Sequence, residues 1–309
     1  MNMQPTLAPI PLDANKYTRG SLLLLAGSVR YFGAGVLATL AAEKTGAGYV
    51  SLATPAAAAA AARQHLLCSP VIEGPERKAT GSFRATALPS ILQEAHHIDA
   101  LCCGPGLTVD SDTIAFVGEV LDFAAAHDIP LLLDADALNA LAAQPELTDE
   151  RRGLVRSVQG SGGVPTALAP RLSPLILTPH TGELARLRGS SSGLASNQTV
   201  LEAATALAQE LGALVVAKGP TTFITDGSSH VESSEGTPAL AKAGTGDVLA
   251  GIISSLLAQG VPASDAALLG VRIHSQAGVG AERAVGRRSV TALDVIRAIP
   301  AALTAFESA

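Results

Sequence analysis

The sequence contains no tryptophan, only three cysteines and few charged residues for a chain of 309 residues. Charged side chains make up 16% of it, against the usual quarter, and the net charge is −6 without any cluster of lysine and arginine. Because nucleic-acid binding needs a positive surface, this balance argues against a nucleic-acid partner. Cys68, Cys102 and Cys103 form no CxxC pair, so they indicate neither a disulfide framework nor a zinc site. We interpret them as buried small side chains.

Long apolar runs and targeting signals are also missing. No apolar stretch reaches the ~20 residues that a membrane helix needs, since Asp134 and Asp136 interrupt the run 131–143. Residues 1–15 lack the basic start and the apolar core of a signal peptide. We therefore expect a cytoplasmic protein without a membrane partner.

Apolar residues, by contrast, make up 48% of the chain, and short apolar runs alternate with helix-like segments. Continuous apolar strands that are each followed by a helix predict an α/β fold with a mainly parallel sheet wrapped by helices. The strand-like runs are residues 22–26, 49–53, 98–103, 131–133, 175–177 and 214–217. The helix-like segments are residues 33–44, 56–67, 114–126, 137–143 and 198–211.

Two segments depart from this alternation. Residues 223–225 and 229–232 flank the turn Asp226-Gly227 and predict a hairpin at an antiparallel edge of the sheet. Residues 148–171 are rich in glycine and proline and show little periodicity, so we interpret them as a surface insertion. Because nothing else resembles a linker, we expect residues 1–309 to form a single domain.

The segment Gly244-Thr245-Gly246-Asp247 carries the strongest functional signal. Apolar residues follow it at helical spacing, at positions 248, 249, 252, 253, 256 and 257, so the two glycines lie at a helix N-terminus. Unpaired backbone N–H groups at such an end bind anions, and glycine lets a phosphate approach closely. Asp247 then suits a general base that takes a proton from an attacking hydroxyl. The alternative is a glycine turn with Asp247 as the helix N-cap.

This segment resembles the anion hole and catalytic aspartate of ribokinase-like kinases, and further motifs narrow the resemblance to the ADP-dependent NAD(P)H-hydrate dehydratases. The resemblance covers about residues 16–300 and implies a ribokinase-like three-layer α/β/α sandwich with a mainly parallel central sheet. The motifs that carry it, in the family's order, are Ala26-Gly27-Ser28, Tyr31-Phe32-Gly33-Ala34, Lys44-Thr45-Gly46-Ala47-Gly48, Gly104-Pro105-Gly106-Leu107, residues 134–139, residues 177–183 and residues 218–222.

The resemblance implies that the protein repairs hydrated nicotinamide cofactors. Enzymes of this family phosphorylate the ring hydroxyl of (6S)-NADHX or NADPHX, and loss of phosphate restores NADH or NADPH. The resemblance also implies ADP as co-substrate, Mg²⁺ as the metal and a homotetramer. Since the motifs begin almost at once, we expect the form that lacks the N-terminal epimerase domain of bifunctional relatives.

The same resemblance implies roles for individual residues. Asp247 is the expected base, and the expected anion cradle consists of Gly244, Thr245 and Gly246. The hydrated dinucleotide would contact Ala34, Gly106, His180 and Asp247. The nucleotide would contact Lys218, Gly219, Pro220, Thr221, Thr222 and Gly246. Supporting roles fall to Asp136, Asn139 and Glu183, and the metal ligands are not assigned.

Taken alone, several of these residues allow simpler interpretations. Gly106 fits a bare turn, Asp136 a helix cap and His180 an ordinary loop histidine. Lys218 fits a solvated lysine at the end of a strand. His274, which lies in a helical segment, is interpreted as a packing residue.

The chain also departs from the family pattern in places. Thr181 stands where proline is common, Ala243 stands where a second glycine is common, and the insertion at 148–171 precedes the strand that leads to His180. Two other functions therefore stay open. One is a ribokinase-like kinase for hydroxyethylthiazole, hydroxymethylpyrimidine or a sugar, and the other is a non-catalytic nucleotide-binding protein. The residues alone do not decide between ADP and ATP, or between NADHX and NADPHX.

Overall fold

The computed structural model describes residues 5–152, 174–190, 194 and 196–307. Within them, one large sheet is formed by β1 (Ser21–Leu25), β2 (Tyr49–Pro55), β3 (Val71–Gly74), β6 (Ala100–Cys103), β7 (Leu131–Leu133), β8 (Leu175–Leu177), β9 (Leu214–Ala217), β10 (Thr222–Thr225) and β11 (His230–Ser233). Two short strands, β4 (Glu76–Arg77) and β5 (Ser82–Phe83), form a separate antiparallel pair. The order across the large sheet is β11-β10-β9-β8-β7-β6-β1-β2-β3.

Most neighbouring strands of the large sheet are parallel, as the sequence predicts. The exception is one edge, where β10 pairs antiparallel with both β9 and β11, so the predicted hairpin is confirmed. Asp226 holds its turn, because Oδ1 accepts the backbone N–H groups of Ser228 and Ser229 at 2.8 and 2.7 Å. The parallel strands all end at one edge of the sheet, which is where α/β proteins bind ligands.

Helices cover both faces of the sheet. In β1, Leu22 and Leu24 join the core on one face, whereas Leu23 and Leu25 join the core on the other. The first face carries α1 (Phe32–Thr45), α2 (Ala56–Arg63), α8 (Thr245–Ala258), α9 (Ala263–Val285) and α10 (Ala292–Leu303). The second carries α3 (Leu88–Glu94), α4 (Ser111–Ala126), α5 (Asp136–Ala143), α6 (Thr181–Leu187) and α7 (Asn197–Leu211). The predicted three-layer α/β/α sandwich is therefore confirmed.

Helix α8 is packed closely against α1, and this contact fixes the position of its N-terminus. A Cβ atom on Gly251 would come within 2.2 Å of the carbonyl oxygen of Ala38, so only glycine lets the two backbones approach so closely. On the same helix, Val248, Ile252 and Leu256 are fully buried. Close packing of this kind leaves the start of α8 little freedom to move.

The structure differs from the sequence predictions in several places. Helix α2 ends at Arg63 rather than at Leu67, whose side chain is exposed. Strand β3, the β4–β5 pair and α3 have no counterpart in the prediction, because each is too short to show a clear apolar period. Cys102 and Cys103 are buried, but Cys68 is exposed, so the prediction of a buried thiol is wrong there.

The segment predicted to be a surface insertion is described only at its start, since residues 153–171 lie outside the described residues. Arg151 Nε donates to the carbonyl oxygen of Leu211 at 2.6 Å, and Arg152 Nε donates to Glu210 Oε1 at 2.8 Å. The start of the segment is therefore bound to the end of α7. In the part of the chain that the structure describes, no helix combines the length and the apolar character needed to cross a bilayer.

Candidate active site

Loops at the carboxyl ends of β7, β8 and β9 meet in a buried ion pair. Asp134 follows β7, Thr178 follows β8 and Lys218 follows β9. Lys218 Nζ and Thr178 Oγ1 both donate to Asp134 Oδ1, each at 2.6 Å. The Asp134 side chain is only 2% exposed, so Lys218 supplies the positive charge that a buried carboxylate requires.

The N-terminus of α8 is built from the predicted glycine motif. Gly244 is its N-cap with a φ of 91°, a conformation that favours glycine. Thr245 Oγ1 donates to the carbonyl oxygens of Leu240 and Lys242 at 2.6 and 2.8 Å, and these bonds tie the preceding turn to the helix. Asp247 lies inside the first turn, so its interpretation as the N-cap is wrong.

The amine of Lys218 lies beside this helix start, 3.6 Å from the position that a Cβ atom on Gly246 would occupy. Burial alone would lower the pKa of Lys218, but the surrounding carboxylates, above all Asp134, outweigh burial and raise it. A charged amine thus stands next to the unpaired N–H groups of a helix N-terminus. This combination favours the binding of a phosphate group.

Asp247 is the carboxylate of this site best suited to take a proton. Burial raises its pKa to about 7, and the negative charge of Asp134 adds to the rise, while Lys218 opposes it. Within the described residues, no side chain hydrogen-bonds with the Asp247 carboxylate. Its oxygens therefore have no internal donor that a ligand would need to displace, and a pKa near neutral pH suits a general base.

His180 precedes α6, and a hydrogen bond to Nδ1 selects one tautomer of its neutral ring. The backbone N–H of Gly182 donates to His180 Nδ1 at 2.9 Å, and Glu183 Oε2 accepts the backbone N–H of His180 at 2.8 Å. Burial and the charges of Lys218 and Arg186 lower the pKa of His180. Since Nδ1 accepts a hydrogen bond, the neutral ring carries its proton on Nε2. This atom lies 3.5 Å from Glu183 Oε1, so a ligand oxygen would bind to Nε2 beside that carboxyl group.

Asp136 and Asn139 form a polar network on α5. The backbone N–H of Thr108 donates to Asp136 Oδ2 at 2.9 Å, and Asn139 Nδ2 donates to Asp136 Oδ1 at 3.2 Å. Arg186 Nε in turn donates to Asn139 Oδ1 at 3.1 Å. Asp136 is the first residue of α5 and its side chain does not cap the helix, so the capping interpretation is wrong. The network connects the loop after β6 to α6.

Ala34 and Gly106 lie against each other at the start of α1. A Cβ atom on Gly106 would come within 2.8 Å of the Ala34 Cβ and within 2.7 Å of the Tyr31 carbonyl oxygen. The backbone at Gly106 has a φ of 67°, which also favours glycine. Gly106 is therefore required for a close contact with α1 and is more than a bare turn.

A cavity of about 520 Å³ opens beside the N-terminus of α8. Among the predicted site residues, its lining includes His180, Lys218, Gly219, Pro220, Thr222, Thr245 and Gly246. Four other predicted site residues are not among the described residues that line it, namely Ala34, Gly106, Thr221 and Asp247. His274 also lines the cavity, a role that its position in a helical segment did not signal.

Sequence comparisons relate this chain to NAD(P)H-hydrate repair enzymes. The family model for NAD(P)H-hydrate dehydratase, Carb_kinase, matches residues 22–301. The bifunctional NAD(P)H-hydrate repair enzyme Nnr of Moorella thermoacetica is 36% identical over 297 residues, which are 96% of this chain and 51% of that enzyme. The Nnr enzyme of Thermofilum pendens is 34% identical over 310 residues, covering 96% of this chain and 53% of the relative. The chain thus spans about half the length of these curated relatives.

Structural comparison points to the same group. The ADP/ATP-dependent NAD(P)H-hydrate dehydratase from Bacillus subtilis, co-crystallised with ATP/Mg²⁺, matches with a TM-score of 0.77 and 28% identity, covering 98% of this chain and 95% of that chain. A hydroxyethylthiazole kinase from Pyrococcus horikoshii matches with a TM-score of 0.54 and 16% identity, covering 95% and 91%, which shows a shared fold alone. By its sequence and its structure, the chain belongs to the NAD(P)H-hydrate dehydratase family.

Proposed function

We propose that this chain dehydrates (6S)-NADHX and NADPHX with ADP. The observation that carries the proposal is the position of Asp247, whose pKa is about 7, in the first turn of α8. The Lys218 amine and the N–H groups at Gly246 stand beside it. A base next to a phosphate site is what the transfer of a phosphoryl group to a hydroxyl requires.

The proposed reaction has two steps. The ring hydroxyl oxygen attacks the β-phosphorus of ADP, its proton passes to Asp247, and AMP leaves. The C–O bond of the new phosphate ester then breaks, assisted by the lone pair of the ring nitrogen, and loss of a ring proton restores the double bond. Lys218 and the backbone N–H groups of α8 stabilise the negative charge on the transferred phosphoryl group.

In this proposal the hydrated ring lies near Ala34, Gly106 and His180, as the family pattern implies. The close contact between Ala34 and Gly106 supports this proposal, because neither residue places a bulky side chain at the start of α1. The N–H at Nε2 of His180 is proposed to hold a substrate oxygen without adding charge to the site.

We propose that Mg²⁺ accompanies the nucleotide phosphates at this site. Within the described residues, no three His, Cys, Asp or Glu side chains are grouped as metal ligands. Mg²⁺ commonly needs only one or two carboxylates besides phosphate oxygens and water. The charges of Asp134 and Asp136 both raise the pKa of Asp247, a surplus of negative charge that a cation would relieve. We propose Asp136 as a ligand, with the bound ion neutralising phosphate charge.

A repair assay tests the proposed function directly. The protein is given hydrated NADH, ADP and Mg²⁺, NADH is followed by its absorbance, and a parallel reaction contains ATP. We expect NADH to form together with equal amounts of AMP and phosphate when ADP is the donor. Phosphorylation of hydroxyethylthiazole, hydroxymethylpyrimidine or a sugar without any NADH would identify a kinase instead. Nucleotide binding without turnover of either kind would identify a non-catalytic binding protein.

The pH dependence of turnover is a separate prediction. Asp247 accepts a proton only when it is ionised, so kcat/KM is expected to rise with pH up to about 7 and then to level off. The Glu183→Gln variant is the comparison, because the pKa of Glu183 is also raised to about 7. The negative charge of Glu183 also raises the pKa of Asp247. In this variant the rise should shift to lower pH. A kcat/KM that does not change between about pH 5.5 and 8.5 contradicts Asp247 as the base. So does a rise that is present in the wild type and absent in the Glu183→Gln variant.

We also propose that the protein is a cytoplasmic homotetramer. Charged residues make up only 16% of the chain, and a surface poor in charge is consistent with burial between subunits. The family resemblance supports the same assembly.

A further inference from the structure

His274 is a buried polar residue that the proposed reaction does not use. It lies on α9 and is one of the residues that line the cavity beside the N-terminus of α8. Its ring atom Nε2 is buried and has no hydrogen-bond partner among the described residues. Buried polar atoms without partners are rare in folded proteins, because each one costs desolvation energy, so this atom requires an explanation.

The charge state of His274 limits what this atom can bind. Burial lowers the pKa of His274 to about 4, and the positive charge of Lys218 lowers it further, while a hydrogen bond with the backbone of Thr245 opposes the shift. The ring is therefore neutral near pH 7 and has a single N–H group. The hydrogen bond with the backbone of Thr245 raises the pKa, as a bond from the ring to a carbonyl oxygen does. Because Nε2 has no partner among the described residues, we infer that this bond uses the N–H at Nδ1, which leaves Nε2 of the neutral ring as a hydrogen-bond acceptor.

His274 lies at the border of the phosphate end of the cavity, because its ring is hydrogen-bonded with the backbone of Thr245 and the charge of Lys218 lowers its pKa. The phosphate end is marked by the amine of Lys218 and the backbone at Gly246. The rest of the lining includes the apolar residues Leu240, Leu249 and Val271, together with Ser233, Thr237 and Ser275. Once the phosphates are bound at the charged end, the apolar part of the cavity is left for the nucleoside, and apolar walls with one or two polar atoms are typical of such a pocket.

We propose that His274 is a positioning residue that accepts a hydrogen bond through Nε2 from the nucleoside part of the nucleotide. This inference rests on the proposed nucleotide site at Lys218 and Gly246. Two groups of ADP share the required chemistry, the hydroxyls of the ribose and the exocyclic amine of the base. In either case the hydrogen bond satisfies Nε2 only when nucleotide is bound.

Binding of nucleotide analogues to the wild type and to a His274→Leu variant tests the proposal. Calorimetry is used to compare ADP with 2′-deoxy-ADP and 3′-deoxy-ADP, which each lack one ribose hydroxyl, and with inosine diphosphate, which lacks the amine. We expect the wild type to bind one of these analogues about tenfold more weakly than ADP, and the variant to lose that preference. The analogue concerned identifies the donor. The proposal would be overturned if the Kd of each analogue, relative to that of ADP, were the same in the two proteins. It would also be overturned if the wild type bound ADP and all three analogues equally well.

The thermal stability of the nucleotide-free protein separates positioning from packing. Leu removes the unpaired atom Nε2, which favours the folded state, but it also removes the hydrogen bond with the backbone of Thr245. Because these two effects oppose each other, the His274→Leu variant is expected to unfold at a temperature close to that of the wild type. Lower stability with unchanged analogue preference would show a packing role and would contradict positioning. If the Leu variant does not fold, His274→Gln takes its place, since the end of Gln can reach the position of Nε2 and should keep part of the preference.

A matched control and the repair assay keep the two proposals separate. His127→Leu alters an exposed histidine at the end of α4 and is expected to bind all four nucleotides as the wild type does. A wild type that binds ADP and repairs hydrated NADH without preferring ADP to any of the analogues would contradict only the inference on His274. If the wild type does not bind ADP at all, the proposed function falls with it.

Discussion

Replacing Asp247 by Asn is expected to lower the kcat of NADH formation by about 10²–10⁴-fold, the usual contribution of a general base. The amide has nearly the shape of the carboxylate, but it cannot take a proton from the ring hydroxyl. ADP affinity is expected to persist, because the phosphates are proposed to bind to Lys218 and the N–H groups of α8. Single-turnover kinetics combined with calorimetric titration of ADP separates the two effects.

Asp122→Asn is the matched control for this result, because Asp122 is an exposed carboxylate on α4. Its turnover is expected to equal that of the wild type. Turnover by Asp247→Asn at the wild-type rate would show that another group takes the proton.

The stability of the Asp247→Asn protein supplies an independent check. Folding raises the pKa of Asp247 from 3.8 to about 7, so its ionised form destabilises the folded state. Above pH 7 the free energy of unfolding of the variant should therefore exceed that of the wild type by about 1–2 kcal/mol, because solvent partly screens the charge of Asp247. The gain should shrink as the pH falls from about 7 toward 3.8, where the carboxyl is protonated in both states.

Replacing Lys218 by Met is expected to destabilise the fold by about 3 kcal/mol, because Asp134 would keep a buried charge without its cation. Met has a similar length, so the change removes the charge with little change in volume. Urea unfolding at about pH 8 gives the free energy of unfolding. The variant should also lose ADP binding, since the amine is proposed to contact the phosphates.

A double variant tests the cause of this loss. Adding Asp134→Asn to Lys218→Met removes the unpaired charge, while the amide oxygen can still accept the hydroxyl of Thr178. We expect it to recover most of the lost stability without recovering ADP binding. Lys78→Met, at an exposed lysine, is the control and should leave both properties unchanged. A double variant less stable than the single one would show that Lys218 stabilises the fold in another way.

The sequence predicted the layers of this fold well, because its strands are continuous apolar runs such as 131–133 and 175–177. Their burial on both faces gives a strong local signal. The short strands β4 and β5 gave no such signal. Their pairing depends on contacts with distant parts of the chain, such as the hydrogen bonds from Thr80 and Ser82 to Asp110.

The site was predictable where chemistry and local structure coincide. Gly244 to Asp247 combines a turn, a helix start and a carboxylate within four residues, so its role could be proposed from the chain alone. The pairing of Asp134 with Lys218 joins residues 84 positions apart, and only the fold brings them together. His274 was missed for a related reason, since its helix position does not reveal that Nε2 lacks a partner.

The tight contact at Gly251 extends the active site beyond the residues that touch ligands. Gly251 follows Gly244 by seven positions, a separation of about 10 Å along α8. A methyl group at that point would force α8 away from Ala38, and the backbone N–H groups at the far end of the helix would move with it. Loss of catalysis in this fold can therefore arise from a substitution deep between two helices that leaves every chemical group of the pocket intact.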